Sequence, residues 1–156
     1  MITALLKGTY KTKVAINGDS ALAIAFATDK PDLILLDIMM RDMDGYEVCR
    51  RLKQDSRAAD IPVIFVSSKG ESIDEELGFL VGGVDYIQKP YAPALLLARI
   101  RTQLLLRQAI ESARKAQLRA NELLLCLLPE RVASEIKSSG SIIPQRYENV
   151  SVLFCD

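Results

Sequence analysis

Three reactive side chains each follow a short apolar run in this sequence of 156 residues. Asp37 ends DLILLD, Ser67 follows IPVIFV, and Lys89 lies in YIQKP. A carboxylate at a crevice keeps an oxygen free to react, a hydroxyl can bond a phosphoryl oxygen, and an ammonium is a point charge suited to phosphate. A lone strand-end aspartate more often caps a turn, but the three groups in this order favour a phosphoryl site. Pro90 after Lys89 allows a cis peptide bond at low cost.

The elements that must position these groups alternate between short apolar runs and amphipathic stretches. Strands are predicted at Lys13–Ile16, Asp32–Asp37, Ile61–Val66 and Val84–Ile87, and helices at Met1–Leu6, from an Asp19 or Ser20 cap to Thr28, at Asp44–Gln54, at Glu71–Val81 and from Tyr91 onward. Runs that are apolar on both faces are typical of a parallel sheet, so we predict an α/β fold. Ligands of such sheets lie outside the carboxyl ends of the strands, where Asp37, Ser67 and Lys89 would meet.

The composition excludes several classes of chemistry. The sequence has no histidine, so this chain alone cannot form a Ser-His-Asp or Cys-His nucleophile, a His-ligated zinc site or a histidine phosphodonor. It has 20 basic and 20 acidic residues, and this balance gives no general attraction to nucleic acid or to an anionic membrane. The three cysteines are far apart, which favours a reducing cytoplasm over a disulfide framework. No apolar run approaches the roughly 20 residues of a membrane span.

Beyond Ala98 the composition changes to a stretch without glycine or proline. Arg99–Leu128 is rich in Ala, Leu, Gln, Arg and Glu, which predicts one long helix that ends at Pro129. Apolar residues alternate along it at spacings of three and four, as in a coiled coil, at Leu106, Ala109, Ala113, Ala116, Ala120, Leu123 and Leu127. This seam predicts a parallel homodimer, and packing of the helix within its own chain is the alternative. After Pro129 we predict a short helix at Glu130–Lys137 and a strand at Val150–Phe154.

Four segments in series resemble the receiver domain of two-component response regulators: NGDSAL, PDLILLDIMMRDMDGYEVCRRLK, IPVIFVSS and GGVDYIQKP. The resemblance covers residues 1–105. It implies a flavodoxin-like fold, which is a doubly wound parallel sheet of five strands in the order 2-1-3-4-5. It also implies a phospho-accepting module whose partner is a sensor histidine kinase or a phosphotransfer protein.

The same resemblance implies a role for each candidate residue. Asp37 would be the phospho-acceptor, and it would ligate Mg²⁺ together with the backbone carbonyl of Met39. Ser67 and Lys89 would bind the phosphoryl oxygens. Tyr86 would be a rotamer switch that follows Ser67 inward and converts phosphorylation into a packing change. The alternative for Tyr86 is an ordinary half-buried aromatic residue.

The start of the sequence departs from the family. Receiver domains begin with a strand that ends in an acidic pair of Mg²⁺ ligands, whereas this sequence begins inside the first helix and has no acidic residue in its first ten positions. We therefore expect a sequence that is cut at its start, with a degraded or swapped receiver as the alternative. In either case we expect weak Mg²⁺ binding and weak phosphorylation without the first strand. The last predicted strand ends the sequence at Asp156, which favours a domain that continues beyond it.

The segment LLLCLLPERVASEIKSSGSIIPQRYENVSVLFCD resembles the entry into a class III adenylate or guanylate cyclase domain. This resemblance implies that Asp156 is the first of two carboxylates that hold catalytic metals, and a strand-end acid of another α/β domain is the alternative. We expect a receiver at residues 1–105, a coiled-coil signalling helix at 106–128 and the beginning of a cyclase at 129–156.

Three functions remain open at this point. The favoured one is a receiver that regulates a nucleotide cyclase through a dimeric helix. A stand-alone receiver that acts as a protein-interaction module is the alternative. A DNA-binding regulator is disfavoured, because the segment after Leu105 has no helix-turn-helix pattern with a basic face.

Overall fold

The computed structural model of the chain describes residues 2–68, 75–127 and 132. Its elements are α1 (Ile2–Leu6), α2 (Gly18–Phe26), β1 (Ile34–Asp37), α3 (Gly45–Gln54), β2 (Val63–Ser68), α4 (Glu75–Leu80), β3 (Asp85–Lys89) and α5 (Pro93–Leu127). Residues 71–74 of the predicted fourth helix lie outside the described residues. The elements predicted at residues 130–137 and 150–154, with the candidate ligand Asp156, also lie outside them, Val132 excepted.

Three parallel strands form the described sheet, in the order β1-β2-β3. The register pairs Asp37 with Val66 and Lys89 with Ser68, so the carboxyl ends of the three strands lie at one edge. β2 is the middle strand and is buried on both faces, which explains its uninterrupted apolar run. These observations confirm the predicted flavodoxin-like α/β architecture with a parallel sheet.

One predicted strand is wrong: the structure shows irregular chain at Lys13–Ile16. A strand needs a neighbour to pair with its backbone N–H and C=O groups, and the described part of the sheet offers none to this segment. Ile16 is accordingly 90% exposed. The side chain of Lys13 instead forms an ion pair with Asp29, with 3.0 Å between Nζ and Oδ2.

The start of α2 also differs from the prediction, because Asn17 is its N-cap rather than Asp19 or Ser20. The side-chain oxygen of Asn17 accepts a hydrogen bond from the backbone N–H of Ser20 at 2.9 Å, and the Ser20 hydroxyl accepts one from the N–H of Asn17 at 3.1 Å. This reciprocal pair satisfies two donors at the helix start. The helix ends at Phe26 rather than at the predicted Thr28.

Two apolar clusters pack against opposite faces of the sheet. Side chains alternate along a strand, so Val63 and Phe65 of β2 pack with α2 and α3, whereas Ile64 packs with Leu96 and Ile100 of α5. All five side chains are buried, and each contributes about 1.5–3 kcal/mol to folding. The two clusters fix the strands, and with them the edge at which Asp37 lies.

α5 is one helix of 35 residues, which confirms the predicted long helix. Pro93 suits the first helical position, because the N–H that proline lacks needs no helical partner there. The chain divides into two units, Met1–Ala109 and Ile110–Asp156, and the sheet belongs to the first. Among the described helices, none combines the length and the apolar character that a membrane crossing requires.

Candidate functional site

The carboxyl edge of the sheet brings Asp37 and Lys89 into direct contact. The Nζ atom of Lys89 donates to Oδ2 of Asp37 at 2.6 Å, and the two side chains are 36% and 39% exposed, respectively. The other oxygen, Oδ1, accepts a hydrogen bond from the backbone N–H of Met39 at 3.2 Å. The carboxylate therefore has a fixed orientation while part of its surface stays open to solvent.

The loop after β1 is held close to Asp37 by the start of α3. Asp44 is the N-cap of this helix, and its Oδ1 accepts a hydrogen bond from the N–H of Glu47 at 2.7 Å. The N–H of Gly45 donates to the carbonyl of Ile38 at 2.9 Å. A Cβ at position 45 would overlap the carbonyl oxygen of Asp37, so this close return of the chain requires glycine.

Ser67 lies on β2 between the two charged residues. It follows Val66, which is opposite Asp37, and precedes Ser68, which is opposite Lys89. Its side chain is buried and lines an open cleft of about 320 Å³ whose other lining residues are Tyr86, Ile87, Gln88, Pro90, Tyr91, Ala92, Leu95 and Arg99. The Lys89–Pro90 peptide bond at this cleft is cis.

Tyr86 packs inside a row of aromatic rings. Its ring centroid lies 5.1 Å from that of Phe65 and 5.7 Å from that of Phe79. Its hydroxyl lies 3.3 Å from the hydroxyl of Tyr46, the second residue of α3. Gly78 of α4 contacts the same hydroxyl so closely that a Cβ there would overlap it. The sequence prediction missed Tyr46 and Gly78, because their contacts with Tyr86 are formed between separate elements.

The Asp37 carboxylate is a ligand that suits Mg²⁺ at this edge, and the sequence prediction adds the backbone carbonyl of Met39 as a second oxygen ligand. Mg²⁺ prefers oxygen and is usually held by one or two carboxylates, while phosphate oxygens and waters complete its shell. The partly exposed Asp37 carboxylate fits that role. Across residues 2–68 and 75–127, no group of three or more His, Cys, Asp or Glu side chains could hold a metal ion by itself. The donors fit an ion that shares its shell with a phosphoryl group, rather than a preformed protein cage.

Comparison with known proteins points to one family. Residues 1–101 match the family model for the response regulator receiver domain. The chain is 39% identical over 122 residues to the DNA-binding dual master transcriptional regulator RpaA of Synechocystis sp., a match that covers 78% of this chain and 50% of that protein. It is 45% identical over 95 residues to a probable cyclic di-GMP phosphodiesterase of Vibrio cholerae, a match that covers 61% of this chain and 21% of that protein. The chain therefore spans half or less of the length of these relatives.

A solved structure agrees with the sequence matches. The receiver domain of the sensor histidine kinase PA1611 from Pseudomonas aeruginosa PAO1 superposes with a TM-score of 0.60 at 25% identity, over 66% of this chain and 84% of that chain. In that protein a magnesium ion is coordinated in the active site cleft.

Proposed function

This chain belongs to the response regulator receiver family, and on that premise we propose that Asp37 accepts a phosphoryl group from the phosphohistidine of a sensor kinase or a phosphotransfer protein. The observation that carries the proposal is the 2.6 Å contact between Lys89 Nζ and Asp37 Oδ2 at the carboxyl edge of the sheet. It joins a carboxylate that can act as nucleophile to a cation that can bind the incoming group.

The proposed transfer is a displacement at phosphorus. An oxygen of Asp37 attacks, the P–O bond forms as the P–N bond of the phosphohistidine breaks, and the electron pair of that bond returns to the imidazole of the donor. The N–H of Met39 holds the carboxylate in its orientation during the attack. When bound by Asp37 and the carbonyl of Met39, Mg²⁺ supplies positive charge for the phosphoryl oxygens.

Lys89 and Ser67 act on the transferred group in this proposal. Lys89 exchanges its bond to the Asp37 carboxylate for one to a phosphoryl oxygen, since the phosphoryl group adds close to two negative charges. Ser67 lies on the strand between the two residues, and its hydroxyl donates to a second phosphoryl oxygen. The transfer then depends on the position of the reacting groups and on neutralisation of the phosphoryl charge. Lys89 and Ser67 contribute to both, so the receiving chain needs no histidine of its own.

Tyr86 is the proposed switch that reports this change. Its ring lies against Phe65 of β2 and Phe79 of α4, so a rotation of the ring alters the packing between strand and helix. Ser67 lines the same cleft as Tyr86, and a shift of Ser67 toward the phosphoryl group changes the space that is available to the ring.

The second part of the proposal is a homodimer formed through α5. Leu106 and Leu123 of the predicted seam are each more than half exposed on this helix. A second copy of the chain can cover such a stripe, and alternating spacings of three and four suit parallel pairing. The seam residue Leu127 is the last residue of α5.

We further propose that the output is a class III nucleotide cyclase that begins at residues 129–156, with Asp156 as a ligand of its metals. The support is the sequence resemblance of this segment. The relatives named above show that receivers are joined to different outputs, because one is a DNA-binding regulator and another a probable phosphodiesterase. We also propose a cytoplasmic location, since the three cysteines are far apart in the sequence, a spacing that favours a reducing compartment over a disulfide framework.

The phospho-acceptor is tested by labelling. The full-length protein is incubated with Mg²⁺ and a small phosphodonor such as phosphoramidate, and intact mass reports the adduct. We expect one adduct per chain that Asp37→Asn abolishes. Asp42→Asn is the matched control, because Asp42 is an exposed acid of the same loop and its φ of 71° is one that asparagine adopts readily. Undiminished labelling of the Asp37→Asn variant would refute the assignment.

A further inference from the structure

A second polar cluster lies at the opposite, amino-end edge of the sheet, around Arg107 of α5. Its Nη1 atom donates to the carbonyl of Asp32 at 2.7 Å and to that of Pro31 at 3.3 Å. Its Nη2 atom donates to Oδ2 of Asp60 at 3.0 Å. Pro31 and Asp32 precede β1, and Asp60 precedes β2. The guanidinium of Arg107 therefore bonds both the segment that precedes β1 and the segment that precedes β2.

The guanidinium of Arg107 is shielded from solvent at this cluster, unlike the residues that follow it on α5. The Arg107 side chain is only 12% exposed, whereas the described residues from Gln108 to Ala120 are all exposed. Asp60 is also bonded by Lys30, with 3.0 Å between Nζ and Oδ1, and Lys30 donates to the carbonyl of Arg57 at 2.7 Å. The carboxylate of Asp60 is thus shared by two cations that approach from different elements.

The shape of the contact favours arginine over any other cation. A guanidinium presents its N–H groups in a flat, rigid fork, so it can serve two carbonyls and a carboxylate at once. A lysine ammonium carries the same charge on a single nitrogen, and its three donors cannot reach acceptors spread in this way. The identity of residue 107, and not merely its charge, is therefore part of the arrangement.

Arg107 lies on α5 one turn beyond the apolar contacts between this helix and the sheet. Among the side chains of α5 whose burial the structure describes, up to residue 125, Ile100 is the last buried one, and Leu104 packs at the margin of the same apolar cluster. Arg107 adds a polar attachment one turn further, just before the first unit ends at Ala109. Leu106, the first residue of the proposed seam, is its neighbour in sequence.

We infer that Arg107 is a positioning residue that clamps α5 to the amino-end edge of the sheet. It fixes the turn of α5 around residue 107, which is the last turn of this helix within the first unit, Met1–Ala109. This inference rests on the proposed function in one respect, namely that α5 carries the signal. A clamped helix passes a displacement of the sheet to the seam, whereas without the clamp this part of α5 would move apart from the sheet and absorb the displacement.

The test is amide hydrogen exchange on the complete chain, and it requires no phosphorylation. In Arg107→Gln, we expect amides at residues 103–109 to exchange about tenfold faster, because charge-assisted hydrogen bonds are lost. The amides of β2 should change by less than about twofold, since a local attachment does not set global stability. Arg107→Lys should retain only part of the protection at residues 103–109. Arg114→Gln, which changes an exposed arginine further along α5, should leave this protection unchanged.

Each other outcome overturns the inference. Unchanged protection at residues 103–109 in Arg107→Gln would show that the cluster holds nothing. An equal loss in β2 would show a contribution to general stability instead of local positioning. Complete recovery in Arg107→Lys would show that charge alone suffices. Because no arm depends on Asp37, failure here leaves the proposed phosphoryl transfer untouched, and failure of labelling leaves this result untouched.

Discussion

The two ends of the sheet carry ion pairs of different kinds. At the carboxyl end, Lys89 and Asp37 form a pair in which both side chains are more than a third exposed. At the amino end, the guanidinium of Arg107 is nearly buried, and it bonds two carbonyls besides the carboxylate of Asp60. A contact that must open to admit a phosphoryl group gains from exposure, and a contact that must hold a helix gains from several partners.

The two ion pairs differ in how readily water or another group can replace one of the partners. An exposed pair contributes little net free energy, because water and salt compete with each partner, so breaking it costs little. A cation that is 12% exposed and holds several acceptors at once is harder to replace, since all of its hydrogen bonds must be exchanged together. The same sheet thus presents a replaceable contact at one end and a fixed contact at the other.

The largest expected effect comes from the backbone at the carboxyl end. Gly45→Ala places a Cβ against the carbonyl oxygen of Asp37 and 3.0 Å from the Cα of Ile38, and backbone atoms cannot rotate away. We expect the free energy of unfolding to fall by about 3 kcal/mol. Urea unfolding followed by circular dichroism measures it.

Gly8→Ala is the matched control, because a Cβ at Gly8 has no atom within 4 Å. Its free energy of unfolding should change by less than about 0.5 kcal/mol. Equal stabilities of the two variants would mean that the loop after β1 can shift freely. The carboxyl end could then no longer be described as a replaceable ion pair beside a rigid loop.

The sequence predicted the carboxyl end far better than the amino end, for a physical reason. Asp37 and Lys89 each lie at the carboxyl end of a strand that the local sequence pattern predicts, and parallel topology alone brings such ends together. Arg107 bonds residues 47 to 76 positions away, and no local pattern marks such a contact. The predicted strand at Lys13–Ile16 failed for a related reason, since its pattern was local but its pairing partner had to come from elsewhere.

An intermediate effect is expected at the amino end from Asp60→Asn. This change keeps an oxygen for Arg107 and Lys30 but removes the charge. We expect a loss of about 1 kcal/mol at pH 6, less than for a buried charged hydrogen bond, because the Asp60 side chain is 51% exposed. Thermal and urea unfolding of both proteins measure the difference.

The same pair of proteins should show a defined pH dependence. Burial acts to raise the pKa of Asp60, but the hydrogen bond from Lys30 and the charge of Arg107 outweigh it and hold the pKa below its usual value. A lowered folded-state pKa stabilises the fold above the unfolded value of about 3.9, and this stabilisation disappears as pH falls through the folded value. The difference between wild type and Asp60→Asn should therefore vanish at low pH. A difference that persists there, or one shared by the exposed control Glu122→Gln, would contradict the assignment.

The smallest effect on stability is expected from Lys89→Gln, although it removes a partner of Asp37. The pair is exposed enough for water to replace the ammonium, so the free energy of unfolding should change by no more than about 0.5 kcal/mol. The rate of phosphoryl uptake in the full-length protein should nevertheless fall by roughly a hundredfold, as for loss of one group that stabilises transition-state charge. Lys11→Gln, which breaks the exposed pair with Asp29, should leave both quantities unchanged. A loss of stability as large as that of Asp60→Asn would mean that Lys89 holds the fold as Arg107 does, and the two ends of the sheet would no longer differ in kind.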